Sequence, residues 1–292
     1  MKLYTPLILI MSLWMSGCSS TGLFLLNSSV KLKAGHEVTK NLAYGDHAWQ
    51  KLDLHIPAAK SGAVKPVLVF FYGGSWYTGK KEQYFFAADA FTRLGYLVVI
   101  PDYLKAPHAK FPQFIQDGAA SIAWVKNNIA RYGGNPDAIF VAGHSAGAHL
   151  GGLLFSDPSY LQAHGLEPRS VRAFAGMAGP YNFTPTEEKF IKVFGKENFE
   201  KMKMMNHIDG DEPPMILMHG LKDSTVGVAN KNASIEKLQA AQVPFKDVEY
   251  AKASHIGILL SLTPRFSEQA STVTDIHRFF QTLLTASNSS TI

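Results

Sequence analysis

The sequence predicts an α/β domain built on a mostly parallel central sheet with helices on both faces and one small cap segment. Three observations predict it. The unbroken apolar runs Val67 to Phe71, Leu97 to Ile100, Ala138 to Ala142 and Met215 to Met218 carry no polar alternation. Such runs mark strands buried on both faces, as parallel strands are. Longer segments of helical periodicity lie between them, and strand–helix–strand order implies parallel crossovers. Finally, 292 residues at 46% hydrophobic and 17% charged suffice for one large core without disulfides or metals.

Taken in order, the chain opens with Lys2 and the apolar stretch Leu3 to Trp14. That stretch is shorter than the roughly 20 residues of a membrane-spanning helix and fits the apolar region of a secretory signal. Ser16-Gly17-Cys18 follows, with Met15 before it, and Cys18 is the chain's single cysteine. An exported chain with one Cys forms no internal disulfide, so the thiol needs another purpose. The segment resembles a bacterial lipoprotein signal. That resemblance implies residues 1–17 as a signal peptide, lipid attachment at Cys18, and a place in the bacterial cell envelope, held to the membrane by the lipid. Residues 18–40, rich in Ser, Gly and Asn at their start, read as a tether. The domain is expected over residues 41–284, and residues 285–292 as a flexible tail.

Within the domain, Gln50 to Ile56 alternates strictly and reads as an antiparallel edge strand, and Phe245 to Tyr250 as a later strand. Helices are expected at Gln83 to Leu94, Phe114 to Tyr132, Ala146 to Phe155, Val228 to Ala241 and Arg265 to Leu284. The net charge is +5, but Lys and Arg are scattered rather than massed. A solvated mixed surface is the plain reading, and no nucleic-acid partner is expected. Ligands of such sheets bind beyond the carboxyl ends of the strands, so the chemistry is sought there.

Gly143-His144-Ser145-Ala146-Gly147 follows a predicted buried strand and leads into a helix. This G-x-S-x-G in that context is a nucleophile elbow. The glycines let strand and helix approach, and the serine stands at a helix N-terminus that favours negative charge. The plain alternative, a helix N-cap serine, does not account for both glycines. A serine hydroxyl needs a base, and the base an orienting acid; elbow enzymes order them serine, acid, histidine. Asp223 follows the strand Met215 to Met218, whereas its rivals Asp209 and Asp211 precede it. His255 follows the strand ending near Tyr250. Of the other histidines, His144, His149 and His219 come before the acid and His277 falls on a helix. No H-x-x-x-H pattern occurs and thiolate clusters are excluded, so no metal or other cofactor is expected.

Tyr72-Gly73-Gly74-Ser75-Trp76 follows the strand Val67 to Phe71, and its backbone N–H groups are candidates for an oxyanion hole. With these motifs the chain resembles the hormone-sensitive-lipase-like branch of the α/β-hydrolases, which includes bacterial carboxylesterases and kynurenine formamidases. The family's H-G-G-G-W motif is matched with Tyr72 for His and Ser75 for the third Gly. Pro101-Asp102-Tyr103 and the run from Trp124 through Gly133-Gly134-Asn135-Pro136 match as well, over roughly residues 45 to 283. Leu104 stands where the family usually has Arg. The resemblance implies N–H donors at Gly74, Ser75 and Ala146, and a supporting loop of Tyr72, Gly73 and Asp102.

The expected activity is hydrolysis of small-molecule carboxylic esters, short-chain or aryl, through an acyl-enzyme on Ser145. The rivals are an arylformamidase acting on N-formylkynurenine-like amides, a peptide hydrolase, and an idle binding lipoprotein on the same fold. Residues 180–214 hold Tyr181, Phe183, Phe190, Phe194, Phe199, Met202, Met204 and Met205; these either pack on the core or form a cap lining an apolar pocket.

Overall fold

Eight strands join in a single sheet: β1 (His36–Ala43), β2 (Lys51–Pro57), β3 (Lys65–Phe71), β4 (Leu97–Pro101), β5 (Gly134–His144), β6 (Ala173–Met177), β7 (Met215–Gly220) and β8 (Phe245–Tyr250). Their order is β1-β2-β4-β3-β5-β6-β7-β8. The computed structural model from which this topology is taken describes residues 22–23, 25–58 and 64–289. From β4 through β8 every pairing is parallel, while β1 and β2 add an antiparallel end. Strands β4, β6 and β7 are buried at every position, which requires cover on both faces.

That cover comes from helices α1 (residues 25–31), α2 (Phe85–Thr92), α3 (Gln113–Asn128), α4 (Ala146–Ser156), α5 (Ser159–Gln162), α6 (Glu188–Phe194), α7 (Ala229–Ala240), α8 (His255–Leu260) and α9 (Thr272–Ser289). Leu68, Val69, Phe70, Phe140, Val141, Leu150, Phe174 and Ile216 are fully buried between these layers. Among the described residues no helix is long and apolar enough to cross a membrane.

Several elements differ from the sequence expectation. The tether expected over residues 18–40 is docked from residue 25 onward. Leu26 and Val30 pack against the core, and the buried Asn27 side chain hydrogen-bonds the chain around α2. Strand β1 then pairs with β2 from His36↔Pro57 to Ala43↔Lys51. In consequence β2 is an interior strand, paired on both sides, and its burial is nearly continuous instead of alternating. Strand β6 (Ala-Phe-Ala-Gly-Met) was not expected, because its small residues carry no β-branched signal. The last helix begins at Thr272 rather than Arg265 and runs to Ser289, into the expected tail. Residues 1–17 and Cys18 lie outside the described residues.

Candidate active site

The loops that leave β3, β5, β7 and β8 all end at one place, the carboxyl edge of the parallel sheet. Ser145 follows β5 and is the residue before α4, with φ 54° and ψ −120°. A positive φ on a residue with a Cβ is strained, and here it lifts the side chain clear of the sheet. The neighbouring glycines are demanded by space. A Cβ on Gly147 would run into the backbone carbonyls of Phe71 and Tyr72, and one on Gly143 into the Gly147 carbonyl.

His255 opens α8, capped by Ser254, whose hydroxyl accepts from Gly257 N–H at 3.1 Å. Its Nε2 lies 2.9 Å from Ser145 Oγ, and its Nδ1 lies 2.7 Å from Asp223 Oδ2. The Asp223 side chain is fully covered. Burial alone would raise its pKa. The bond from His255 and those from the N–H groups of Val226 and Thr225, both at 2.8 Å to Oδ1, outweigh burial and hold the carboxyl below its ordinary value. Asp223 thus remains a carboxylate, His255 presents Nε2 to the serine, and a proton can pass from Oγ to the ring.

Facing Ser145 is the loop after β3. Gly74 has φ 136°, and Ser75 and Trp76 have φ 55° and 61°. A Cβ on Gly74 would strike the Thr78 carbonyl. This run of positive φ turns the loop tightly over the serine, and Gly73 stands so close that a Cβ there would lie 3.0 Å from Ser145 Cβ. Gly73, Gly74, Ser75 and Ser145 line one cavity. Ala146, the first residue of α4, has an N–H with no preceding turn to receive it.

Behind this loop lies a buried polar network. Tyr72 OH donates to Asp102 Oδ1 at 2.5 Å, and Lys81 N–H donates to the same oxygen at 2.9 Å. Tyr103 OH donates to the Tyr72 carbonyl at 2.8 Å, and Tyr84 OH reaches the Gly73 carbonyl at 3.3 Å. Lys105 Nζ donates to Tyr72 OH at 2.8 Å and to the Tyr103 carbonyl at 2.7 Å, with the ring faces of Trp49, Tyr72 and Tyr103 within 5.1 Å of its ammonium. Burial raises Asp102 despite its donors and lowers Lys105 to about 8 despite Asp102 and Asp117. The loop anchor that the sequence lacks at Leu104 is therefore supplied one residue later, by Lys105.

Two histidines set aside in the sequence also support the site. His144 Nε2 donates to the His255 carbonyl at 2.9 Å; burial and the neighbouring His255 lower it to about 3, so it is neutral. His219 Nε2 donates to the Val226 carbonyl at 3.0 Å and stands 3.7 Å from Asp223 Oδ2. The sequence signal for both was adjacency to an elbow or a strand end, which any short-range motif dilutes. Among the described residues no group of three His, Cys, Asp or Glu side chains could hold a metal ion.

The cavity above Ser145 has a volume of about 970 Å³. Residues 180–214 do not line it. Tyr181, Phe194, Met202 and Met204 are buried in the core, and Phe183, Phe190 and Phe194 pack around Trp76. Of the two readings open for this segment, core packing is the one these contacts match. The apolar wall of the cavity comes from Leu23, from Leu25 and Leu26 of α1, and from Ile256, Leu259 and Leu260 of α8.

Known proteins resemble this chain in sequence or in fold. The BD-FAE family matches residues 52–238. Esterase LipC of Mycobacterium tuberculosis is 30% identical over 222 residues, 69% of this chain and 55% of its own. An isoprenylcysteine alpha-carbonyl methylesterase of Arabidopsis thaliana is 27% identical over 247 residues, 77% of this chain and 58% of its own. The chain thus spans somewhat more than half the length of these relatives. Among solved structures, a propionate-bound thermophilic esterase of Thermogutta terrifontis is 25% identical with TM-score 0.71, covering 85% of this chain and 94% of its own. Esterase B of Lactobacillus rhamnosis, 18% identical, superposes with TM-score 0.74 over 95% of this chain and 96% of its own, a likeness of fold.

Proposed function

The chain belongs to the BD-FAE family and has the α/β-hydrolase fold, and from that premise we propose that it is a serine carboxylesterase working through an acyl-enzyme on Ser145. The observation that carries this reading is the continuous chain Ser145 Oγ, His255 Nε2, His255 Nδ1, Asp223 Oδ2, at 2.9 and 2.7 Å, on a strained elbow. The esterases among its relatives support it.

In this mechanism His255 takes the Ser145 proton as Oγ attacks the ester carbonyl. Asp223 holds the ring with Nδ1 protonated and stabilises the imidazolium. The N–H groups of Gly74, Ser75 and Ala146 receive the oxyanion, which is why the loop is strained and anchored beforehand. His255 then gives its proton to the departing alcohol, and water repeats the sequence on the acyl-enzyme. The neutral state of His144 and its bond to the His255 carbonyl keep the base in place without a second positive charge beside it.

Small esters, with short-chain or aryl groups, are the substrate class of this proposal. The amide of an N-formylkynurenine-like substrate is the second class for the same machinery, so both belong in one test. p-Nitrophenyl esters and N-formylkynurenine are to be offered to the wild-type protein and to Ser145→Ala, with a fluorophosphonate label as a substrate-free probe. Ser145→Ala is expected to lose about 10⁶ in kcat and all labelling. Retained activity or retained labelling overturns the serine mechanism, and a preference for the formamide overturns the ester reading.

The cell envelope is proposed as the location, with a lipid on Cys18 as membrane anchor. The support is in the sequence: an apolar leader too short to span a bilayer, followed by Ser16-Gly17-Cys18. Mass analysis of the membrane-extracted protein decides it, because an N-terminus without acyl chains removes the anchor.

A further inference from the structure

We infer that α1 is the acyl-side wall of the catalytic cavity and sets the enzyme's preference for an acyl group longer than acetyl. The inference rests on the esterase reading above and deepens it.

The cavity is lined by the oxyanion loop with Gln83 and Tyr84, by Leu23, Leu25, Leu26 and Ser29, and by His255 with α8 and Phe266. The carbonyl oxygen goes to the oxyanion donors, and the leaving oxygen must lie at His255 Nε2, beside α8, to be protonated. The acyl group takes the remaining direction, which leaves it the apolar wall of α1.

The helix is fixed there by a definite clip. Asn27 is 4% exposed. Its Nδ2 donates to the Gln83 carbonyl at 2.6 Å and its Oδ1 accepts from Phe86 N–H at 3.0 Å. Both partners belong to the chain that continues the oxyanion loop into α2. The amide therefore ties α1 to the structure that aims the oxyanion donors. Lys31 Nζ, 5.2 Å over the Phe85 ring, adds a second hold. Leu23 and Leu26 are partly buried against the core. Leu25 is 63% exposed, although it lines the cavity, an exposure that leaves apolar surface for a substrate to cover.

Size agrees with this. Pockets of about 300–1,000 Å³ enclose most of a drug-sized ligand, and this one is about 970 Å³. A hexanoyl chain carries four more methylenes than acetyl with which to cover the leucines. Pocket contacts of one methylene are worth about 10–200-fold in kcat/KM.

The test compares p-nitrophenyl hexanoate with p-nitrophenyl acetate, using the full chain. In Leu25→Ser/Leu26→Ser the hexanoate-to-acetate ratio of kcat/KM is expected to fall roughly tenfold or more, with the acetate rate retained. Leu260→Ser, on the alcohol side, is expected to leave the ratio unchanged. An unchanged ratio in the α1 variant, or a ratio that shifts only in Leu260→Ser, overturns the assignment. Should the double variant not fold, Leu25→Ser alone carries the test, since that side chain is mostly in solvent. Activity surviving in Ser145→Ala would instead sink the esterase mechanism itself, and is read separately.

Discussion

Lys105 Nζ lies 2.8 Å from Tyr72 OH, and through that phenol it is joined to Asp102 and to the backbone of the oxyanion loop. The buried ammonium serves the loop, since Tyr72 OH cannot donate to Asp102 and receive Lys105 in any other orientation. Removing the charge should loosen the loop while leaving Ser145 and His255 paired. Lys105→Met is expected to lower kcat by about 10-fold to 10²-fold, up to the lower limit for losing one oxyanion donor, with little change in KM.

The same lysine predicts an alkaline limb. Burial lowers Lys105 to about 8, so it is charged below that pH and neutral above it. The charge-assisted bond to Tyr72 is therefore lost as pH rises through about 8. We expect kcat to decline there in the wild-type protein, and a pH profile of Lys105→Met to lack that limb.

Three buried histidines predict acid lability. Burial lowers His55 and His144 to about 3 and His149 to about 4, whereas an unfolded His titrates near 6.5. Between roughly pH 4 and 6.5 the unfolded chain binds protons that the folded chain refuses, so stability falls as pH falls. Each histidine contributes a slope of up to about 1.4 kcal/mol per pH unit, or about 4 for the three together. Urea midpoints measured from pH 7 to pH 4.5 should drop steeply, and His149→Gln should flatten the slope by about a third.

Asp223→Asn preserves the shape of the site and exchanges a carboxylate for an amide. The His255 ring then loses the partner that fixes its Nδ1 proton. A loss of about 10⁴ in kcat is expected, with a melting temperature near that of the wild type. An unaltered kcat would show that another group orients His255.

Gly147→Ala tests the packing of the elbow apart from its chemistry. The added methyl meets the carbonyls of Phe71, the last residue of β3, and of Tyr72 after it. Overpacking of this kind costs about 1–3 kcal/mol, and it should appear in denaturant unfolding together with lost activity.

Much of the candidate site's geometry was legible because its signals are local. Gly143 to Gly147 encode the elbow in consecutive residues, and the apolar strands Met215 to Met218 and Val67 to Phe71 point to the loops holding Asp223 and Gly74. The illegible parts depend on long-range packing. Nothing near Asn27 announces that its amide meets Gln83 and Phe86, 56 and 59 residues away, so α1 read as a tether. Nothing in the sequence singles out Lys105, because its aromatic enclosure draws on Trp49 and Tyr72 as well as the adjacent Tyr103. The aromatic residues 180–214 carried the signature of a pocket, yet aromatic rings fill cores equally well, and Trp76 was there to receive them.

The spacing of the site along the chain has a consequence for biosynthesis. Ser145 and the loop at Gly74 leave the ribosome well before the histidine, which lies 110 residues after the serine. Parallel strands pair only after long connections close, a slow and non-local event. A nascent or stalled chain ending before β8 holds a serine without its base. On the proposed mechanism, hydrolytic capacity arrives late and in one step, and a molecule clipped from its C-terminal side is silent instead of indiscriminate.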